Sequence, residues 1–380
     1  MDRKKNVPKI RFQNFEAEWL DSTIGRHISL LNGRAYKQEE LLDEGRYKVL
    51  RVGNFNTNSK WYYSNLELEE NKYVNKGDLL YLWATNFGPE IWTEEKAIYH
   101  YHIWKLEFDR TEINQDYLNI WLESDKKKIQ QNTNGSTMVH ITKTMMEERG
   151  ISLPNFDEQS AIGSLFRTLD DLLVSYKDNL ANYQSLKATM LSKMFPKAGQ
   201  TVPEIRLDGF EGEWEIVKLG DNCRIITGGT PKTGVKEFWN PKEIPWMSSG
   251  EINKKILNET EEMISQIGLE NSSAKWVKQN SVLIALAGQG QTRGRVAINK
   301  IPLTTNQSIA AIETNSCIDF LFLYSDLERR YDELRLISSG DGTRGGLNKT
   351  IISSLELNLP AIDEQQAIGS YFSNLDNLIN

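Results

Sequence analysis

The sequence predicts an α+β fold: two similar mixed α/β domains separated by long antiparallel coiled-coil helices, the second of which is truncated. Three observations carry this. At 380 residues the chain has room for about two domains of ordinary size, and its 39% of hydrophobic residues supports packed cores. Residues 7–25 reappear at 202–220 with 9 identities in 19 positions, and residues 153–173 reappear at 359–379 with 13 in 21. Between these blocks the two halves differ freely, so the chain is a tandem duplication of about 200 residues per unit with a divergent middle.

Each unit reads as a lead-in motif, a globular middle and a helix. The lead-in Val7-Pro8-Lys9-Ile10-Arg11, with Trp19 and Gly25, is matched by Val202-Pro203-Glu204-Ile205-Arg206, with Trp214 and Gly220. Tryptophans shared by both units read as structural anchors. In the first middle, residues 47–52, 77–84 and 97–108 predict strands, the last alternating Ile98, His100 and His102 against Tyr99, Tyr101 and Ile103. Residues 115–131 predict a helix with Tyr117, Ile120, Trp121 and Leu122 on its buried side. In the second middle, 244–248, 281–287, 294–299 and 308–313 predict strands and 318–334 a helix.

The helix that closes the first unit follows Pro154. Asp157 stands where an N-cap carboxylate accepts backbone N–H bonds, and Glu158 falls in the first turn, where the helix dipole favours negative charge. From there Ile162, Phe166, Leu169, Leu173, Tyr176, Leu180 and Tyr183 recur at steps of four and three, a helix-pairing seam that Met190 and Met194 extend past a break at Lys187. A helix from Asp157 to Phe195 is ~58 Å long at ~1.5 Å per residue. Its natural partner is the second copy, led by Asp363; the counterpart of Phe195 would lie beyond Asn380, so that helix is either truncated or supplied differently. The expected boundaries are 1–155 for the first domain, 156–196 for its helix, 197–360 for the second domain and 361–380 for the start of the second helix.

The stretch Met1 to Phe12 lacks the apolar run of a signal peptide, and no segment reaches the ~18 apolar residues of a membrane span. Cys223 and Cys317 fit neither a disulfide framework nor a metal-ligand spacing, so a reducing cytoplasm is expected. The net charge of −7 counts against a nucleic-acid binder, although a protein that reads bases while other subunits grip the backbone can be acidic overall and basic along one groove.

A search for chemistry returns little. Gly288-Gln289-Gly290-Gln291-Thr292-Arg293-Gly294 has arginine where a dinucleotide fingerprint needs glycine, and a strand pattern, not a helix, follows it. Two readings stay open for this loop: a solvated hairpin, or a reader in which Gln pairs with adenine and Arg with guanine. No Asn-Pro-Pro or Asp-Pro-Pro methyltransferase motif occurs, since Asn240-Pro241 continues with Lys242, and there is no phosphate-binding Gly-Lys-Ser/Thr loop. His100 and His102 suit a metal, aromatic packing or a base contact, with no third ligand evident. Trp83 reads as core or, with Asn86 and Phe87, as a DNA-facing loop. Lys126-Lys127-Lys128 reads as a solvated face or a phosphate contact. No catalytic residue and no metal site is expected.

The order of variable domain, helix led by Asp157-Glu158-Gln159, second variable domain and second helix led by Asp363-Glu364-Gln365 resembles the specificity subunit of type I restriction–modification enzymes. Leu153-Pro154 and Leu359-Pro360 support it, as do Gly229-Thr230-Pro231, Gly33-Arg34-Ala35-Tyr36-Lys37 and Gly77-Asp78-Leu79-Leu80; the resemblance covers essentially the whole chain. It implies that each variable region is a target recognition domain reading half of a split sequence in double-stranded DNA. It also implies that the helices dock two adenine-N6 methyltransferase subunits, which motor–nuclease restriction subunits then join. The chain itself would hold no cofactor, S-adenosylmethionine and ATP belonging to the partner subunits, and would be cytoplasmic with no membrane contact. The expected DNA contacts are Arg34, Tyr36, Lys37, Asn86, His100, His102 and Lys143 in the first unit, and Thr230, Lys232, Ser248, Gln289, Gln291, Arg293, Arg295, Arg344 and Lys349 in the second. A different class, a duplicated protein-binding scaffold independent of any methyltransferase, is the alternative.

Overall fold

The computed structural model describes residues 6–55, 58–84, 87–132, 141–288, 291–337 and 346–380, in two compact units, Met1–Ser175 and Tyr176–Asn380. Among the described residues no helix is long and apolar enough to cross a membrane.

In the first unit an antiparallel sheet runs in the order Ile28–Asn32, Ile103–Phe108, Leu79–Leu82, Gly88–Ile91, and a mixed sheet runs in the order Tyr62–Ser64, Tyr47–Leu50, Ala97–Tyr99, Tyr73–Val74. Strand Leu79–Leu82 is buried throughout because its two faces serve two cores. Leu79 and Tyr81 pack with Leu30, Trp104, Leu118 and Leu122, the last two on helix Gln115–Asn132. Leu80 and Leu82 pack with Leu50, Trp92 and Tyr99. A period of two with both faces covered thus appears in the sequence as an unbroken apolar run.

The second unit repeats the plan. A sheet in the order Cys223–Thr227, Ile309–Thr314, Val282–Ala285, Val296–Asn299, Ile256–Leu257 lies with one of Glu262–Ile264, Ile244–Met247, Thr304–Thr305. Val282 and Ile284 face one core, Leu283 and Ala285 another.

Two expected elements are corrected. Residues 97–108 form two strands in different sheets: Ile98 and Tyr99 pair in parallel with Val49 and Leu50, whereas Ile103–Phe108 joins Ile28–Asn32 and Leu79–Leu82. His100 and His102 therefore sit where the chain changes sheets, not on one strand face. Gly33 permits this crossing, since a Cβ there would lie 2.3 Å from the Tyr99 carbonyl oxygen. The helix expected over 318–334 is broken at Arg330 into Phe320–Arg329 and Tyr331–Leu336.

The duplicated blocks build the same joint twice. Strand Leu20–Thr23 pairs with Gly150–Leu153, and Glu215–Lys218 with Glu356–Leu359, so each domain closes where its chain began. Arg11 grips buried Glu158 with two hydrogen bonds of 2.7 Å, as Arg206 grips Glu364 at 2.8 and 2.7 Å. The Gln159 amide accepts from the Asn114 N–H and donates to the Glu112 and Pro154 carbonyls; Gln365 accepts from the Asp319 N–H and donates to Cys317 and Pro360. Gly25 and Gly220 let a short helix close onto another, because a Cβ would meet Glu147 Cβ at 2.9 Å and Ser353 Cβ at 2.6 Å.

Helix Phe156–Lys193, ~57 Å long at ~1.5 Å per residue, begins one residue earlier than expected. The cap is Asn155, whose side-chain oxygen accepts from the Glu158 N–H at 2.9 Å, and Asp157 lies inside the first turn. In the second copy Ala361 holds the capping place, with no side-chain bond.

Helix Ile362–Ile379 runs antiparallel to the last turns of the long helix. Lys187 reaches Asp376 at 2.7 Å and Phe195 lies 6.1 Å from Phe372, in a cluster with Met194, Trp214 and Phe322. Lys187, the break in the seam, is thus a buried cation held by Asp376 and Glu328. Of the expected pairing residues, Ile162 packs on the first core and Leu180 and Tyr183 are half-buried. Phe166, Leu169, Leu173 and Tyr176 are exposed.

Candidate nucleic-acid interface

In the first unit the fold gathers Arg34, Tyr36, His100 and His102 into one cluster. Arg34 pairs with His100 as a β-bridge, and the Tyr36 ring stacks on His100 at 6.5 Å. The rings of His100 and His102 stand 4.9 Å apart with Tyr101 against both, while Trp83 meets His102 edge-on at 4.8 Å and donates its indole N–H to the Tyr101 carbonyl. Trp83 also stacks on Trp104, which ties it to the core.

The electrostatics of this cluster are muted. Both terminal nitrogens of Arg34 are taken by Glu40, at 2.7 and 3.0 Å, and the Tyr36 hydroxyl donates to the Tyr99 carbonyl, so both residues serve the fold. Burial, with lesser contributions from His102 and Arg51, pushes His100 down to about 4, leaving it neutral near pH 7. The patch that remains is largely aromatic, with Tyr101 exposed. Lys37 is exposed beside Glu39, and Lys143 lies 3.7 Å from Glu147. Asn86 lies outside the described residues.

In the second unit the expected contacts do not form one cluster. Gln289 and Arg344 lie outside the described residues. Gln291 is exposed, but its backbone carbonyl accepts from Arg295 Nε and from the Tyr331 hydroxyl, both at 2.7 Å. The Arg295 guanidinium stacks over Tyr331, and Arg293 donates to the Arg335 carbonyl at 2.7 Å. The loop is therefore folded back on helix Tyr331–Leu336. Thr230 donates to Gln307, Lys232 is exposed, and the Ser248 N–H donates to Glu251 at the start of a helical turn.

Lys349 is also exposed, and it stands in a depression with Arg224 and Lys275. Sequence reading missed those two and their neighbours Trp276 and Lys278. The signal was present as an aromatic ring between lysines, but only the fold brings it to Arg224 and Lys349.

Among the described residues no group of three or more His, Cys, Asp and Glu side chains could hold a metal. Burial pushes the Cys223 thiol up to about 12, away from the reactive thiolate.

Comparison with known proteins agrees with the duplicated plan. A family profile described as the type I restriction modification DNA specificity domain matches residues 16–182 and again 211–380. The MjaVIII specificity subunit of Methanocaldococcus jannaschii is 24% identical over 396 residues, covering 99% of this chain and 90% of that protein. The EcoR124I/EcoR124II specificity subunit of Escherichia coli is 29% identical over 174 residues, covering 45% of this chain and 43% of that protein. The S subunit of a type I restriction–modification system from M. genitalium shares the fold, with a TM-score of 0.61 at 15% identity over 99% of this chain and 93% of that one. With two profile matches spanning most of its length, the chain belongs to the type I restriction modification DNA specificity family.

Proposed function

We propose that the chain reads a bipartite, asymmetric DNA target for a type I restriction–modification complex, docks two adenine-N6 methyltransferase subunits and performs no chemistry of its own. The observation that carries this is the duplicated joint closing on two divergent domains. The same Arg–Glu pair and the same glutamine hold each frame, while the sheets and loops between them differ. Equal frames with unequal surfaces suit two readers of different half-sites. Because the readers are separate compact units, the target is split by bases that neither touches, and motor–nuclease subunits complete the restriction enzyme. S-adenosylmethionine and ATP belong to the partners.

The long helix offers a docking surface for those partners. Phe166, Leu169, Leu173 and Tyr176 are exposed along one seam, where a soluble protein usually covers such residues. The test is co-expression with the methyltransferase subunits, followed by single-molecule mapping of methylated adenines. The expected result is one two-part motif with different halves. Methylation of a continuous motif, or turnover by the chain with its partners shown to be absent, overturns the reading.

A further inference from the structure

We propose that the second unit carries a DNA-backbone groove built from Arg224, Lys275, Lys278 and Lys349, with Trp276 as an apolar contact inside it. The inference rests on the reading of this chain as a DNA-recognition subunit. Two adjoining depressions, of about 650 and 380 Å³, share Arg224 and Lys275. The first also holds Trp276 and Lys278, the second Lys349.

The groove is locally cationic. Its residues include four cations and one carboxylate, Glu313, in a chain whose net charge is −7. Glu313 is already engaged, bonded to Arg224 at 3.1 Å and to the Lys278 backbone N–H at 3.0 Å. Among the described residues the ammonium groups of Lys275, Lys278 and Lys349 face no carboxylate, so their charge is offset only by Glu313. Unpaired cations concentrated in a concave surface attract a polyanion locally although the whole chain repels it. Trp276 adds a second requirement, because an indole 46% exposed between two lysines is a large apolar surface left in water. A sugar face or an unstacked base is the complement such a ring takes on nucleic acid.

Comparison of the two units shows how the groove arose. Lys349 corresponds to Lys143 in the duplication, and Lys143 lies 3.7 Å from Glu147; the counterpart of Glu147 is Ser353, so Lys349 is released. On the neighbouring strands Arg224 stands opposite Glu313, where the first unit has Ser29 opposite Glu107. At these two positions the first unit pairs or lacks the cation that the second unit presents. The Gly229-Thr230-Pro231 turn borders the groove, since a Cβ on Gly229 would lie 2.1 Å from Ser273 Oγ, two residues before Lys275.

The experiment measures equilibrium binding of the methyltransferase-bound complex to target and non-target duplexes across a salt series. The triple variant Lys275→Gln, Lys278→Gln, Lys349→Gln is expected to weaken both duplexes alike and to lower the slope of log affinity against log salt by about 2–3, near one released counterion per lysine. Trp276→Ala is expected to weaken binding about tenfold with the slope unchanged. Melting curves matching the wild type show that these surface changes leave the fold intact. A wild-type complex that binds DNA while the triple variant keeps its slope overturns the groove. A wild-type complex with no affinity for any duplex overturns instead the DNA-recognition reading on which it rests. Weakening confined to one target sequence makes these residues base readers and also overturns the backbone assignment.

Discussion

Gln159 and Gln365 show how much structure one buried amide can organise. Each is 2% or less exposed and satisfies one backbone N–H and two carbonyls at the meeting of strand, loop and helix. Replacement by leucine keeps the volume but strands those groups, and a buried polar group left without a partner costs roughly 1–3 kcal/mol. We predict that Gln159→Leu and Gln365→Leu each lower the unfolding free energy by about 2–3 kcal/mol. Urea titration would check this, and losses below about 0.5 kcal/mol would show that the amide is dispensable. His100 supports a pH prediction. Its folded value, about 4, lies below the ~6.5 of an unperturbed imidazole, so the unfolded chain binds the proton first. Its contribution to stability is complete above about pH 6.5 and is lost as the pH falls from there through about 4. Stability of the wild type should decline across that window, and His100→Gln should decline less; parallel curves would sink the assignment.

At the scale of elements, the seam between the two helices turns on Lys187. Its side chain is 8% exposed and bridges Asp376 at 2.7 Å and Glu328 at 2.6 Å. Removing the cation leaves the partly buried Asp376 without its partner, while Glu328 keeps Lys255 at 3.5 Å. Lys187→Met is therefore predicted to destabilise the second unit by about 3–5 kcal/mol, the usual cost of breaking one side of a buried pair. Adding Asp376→Leu should recover part of that loss, measured by thermal unfolding; a double variant no better than the single would mean the ion pair is incidental. The short helix that carries Gly220 makes the opposite kind of demand, for absence of volume. A methyl there would meet Ser353 Cβ at 2.6 Å and its carbonyl oxygen at 2.9 Å. Gly220→Ala should cost about 1–3 kcal/mol through overpacking.

For the whole molecule the governing fact is that each domain is closed by residues from its own beginning and end. Strand Glu215–Lys218 meets Glu356–Leu359 and Arg206 meets Glu364, while Phe322 packs on Phe195 and Phe372 and Glu328 reaches Lys187, so the residues between are held at a small set of boundary contacts that a replacement must keep. A region bounded in this way is exchangeable, because the packing seams stay the same. Replacing residues 220–358 with another domain of the family should change one half of the methylated motif and leave the other unaltered. Simultaneous change in both halves would mean that the two domains read jointly.

Much of this plan was legible in the sequence. The duplication, the helix after Pro154 and most strand positions depend on identity and local periodicity, which survive in one dimension. The apolar runs at 79–82 and 282–285 could be placed, although which core each side chain serves could not. What the linear pattern could not contain were the encounters between distant residues. Residues 97–108 alternate like one strand, and only the pairing of Val49 with Ile98 and of Tyr81 with Trp104 divides them between sheets. Arg34, Arg293 and Arg295 have the chemistry of base readers, but Glu40 and the carbonyls of Arg335 and Gln291 already hold them. Lys187 looked like an interruption in a seam until Asp376, 189 residues away, arrived beside it. The basic groove draws on positions 224, 275–278 and 349, whose charges are dispersed along an acidic chain and become a local field only where the second unit's fold packs their segments together. Composition and spacing thus determined the frame. The tertiary structure decided which polar groups the frame uses up and which it leaves to meet a partner, because that depends on distances folding alone sets.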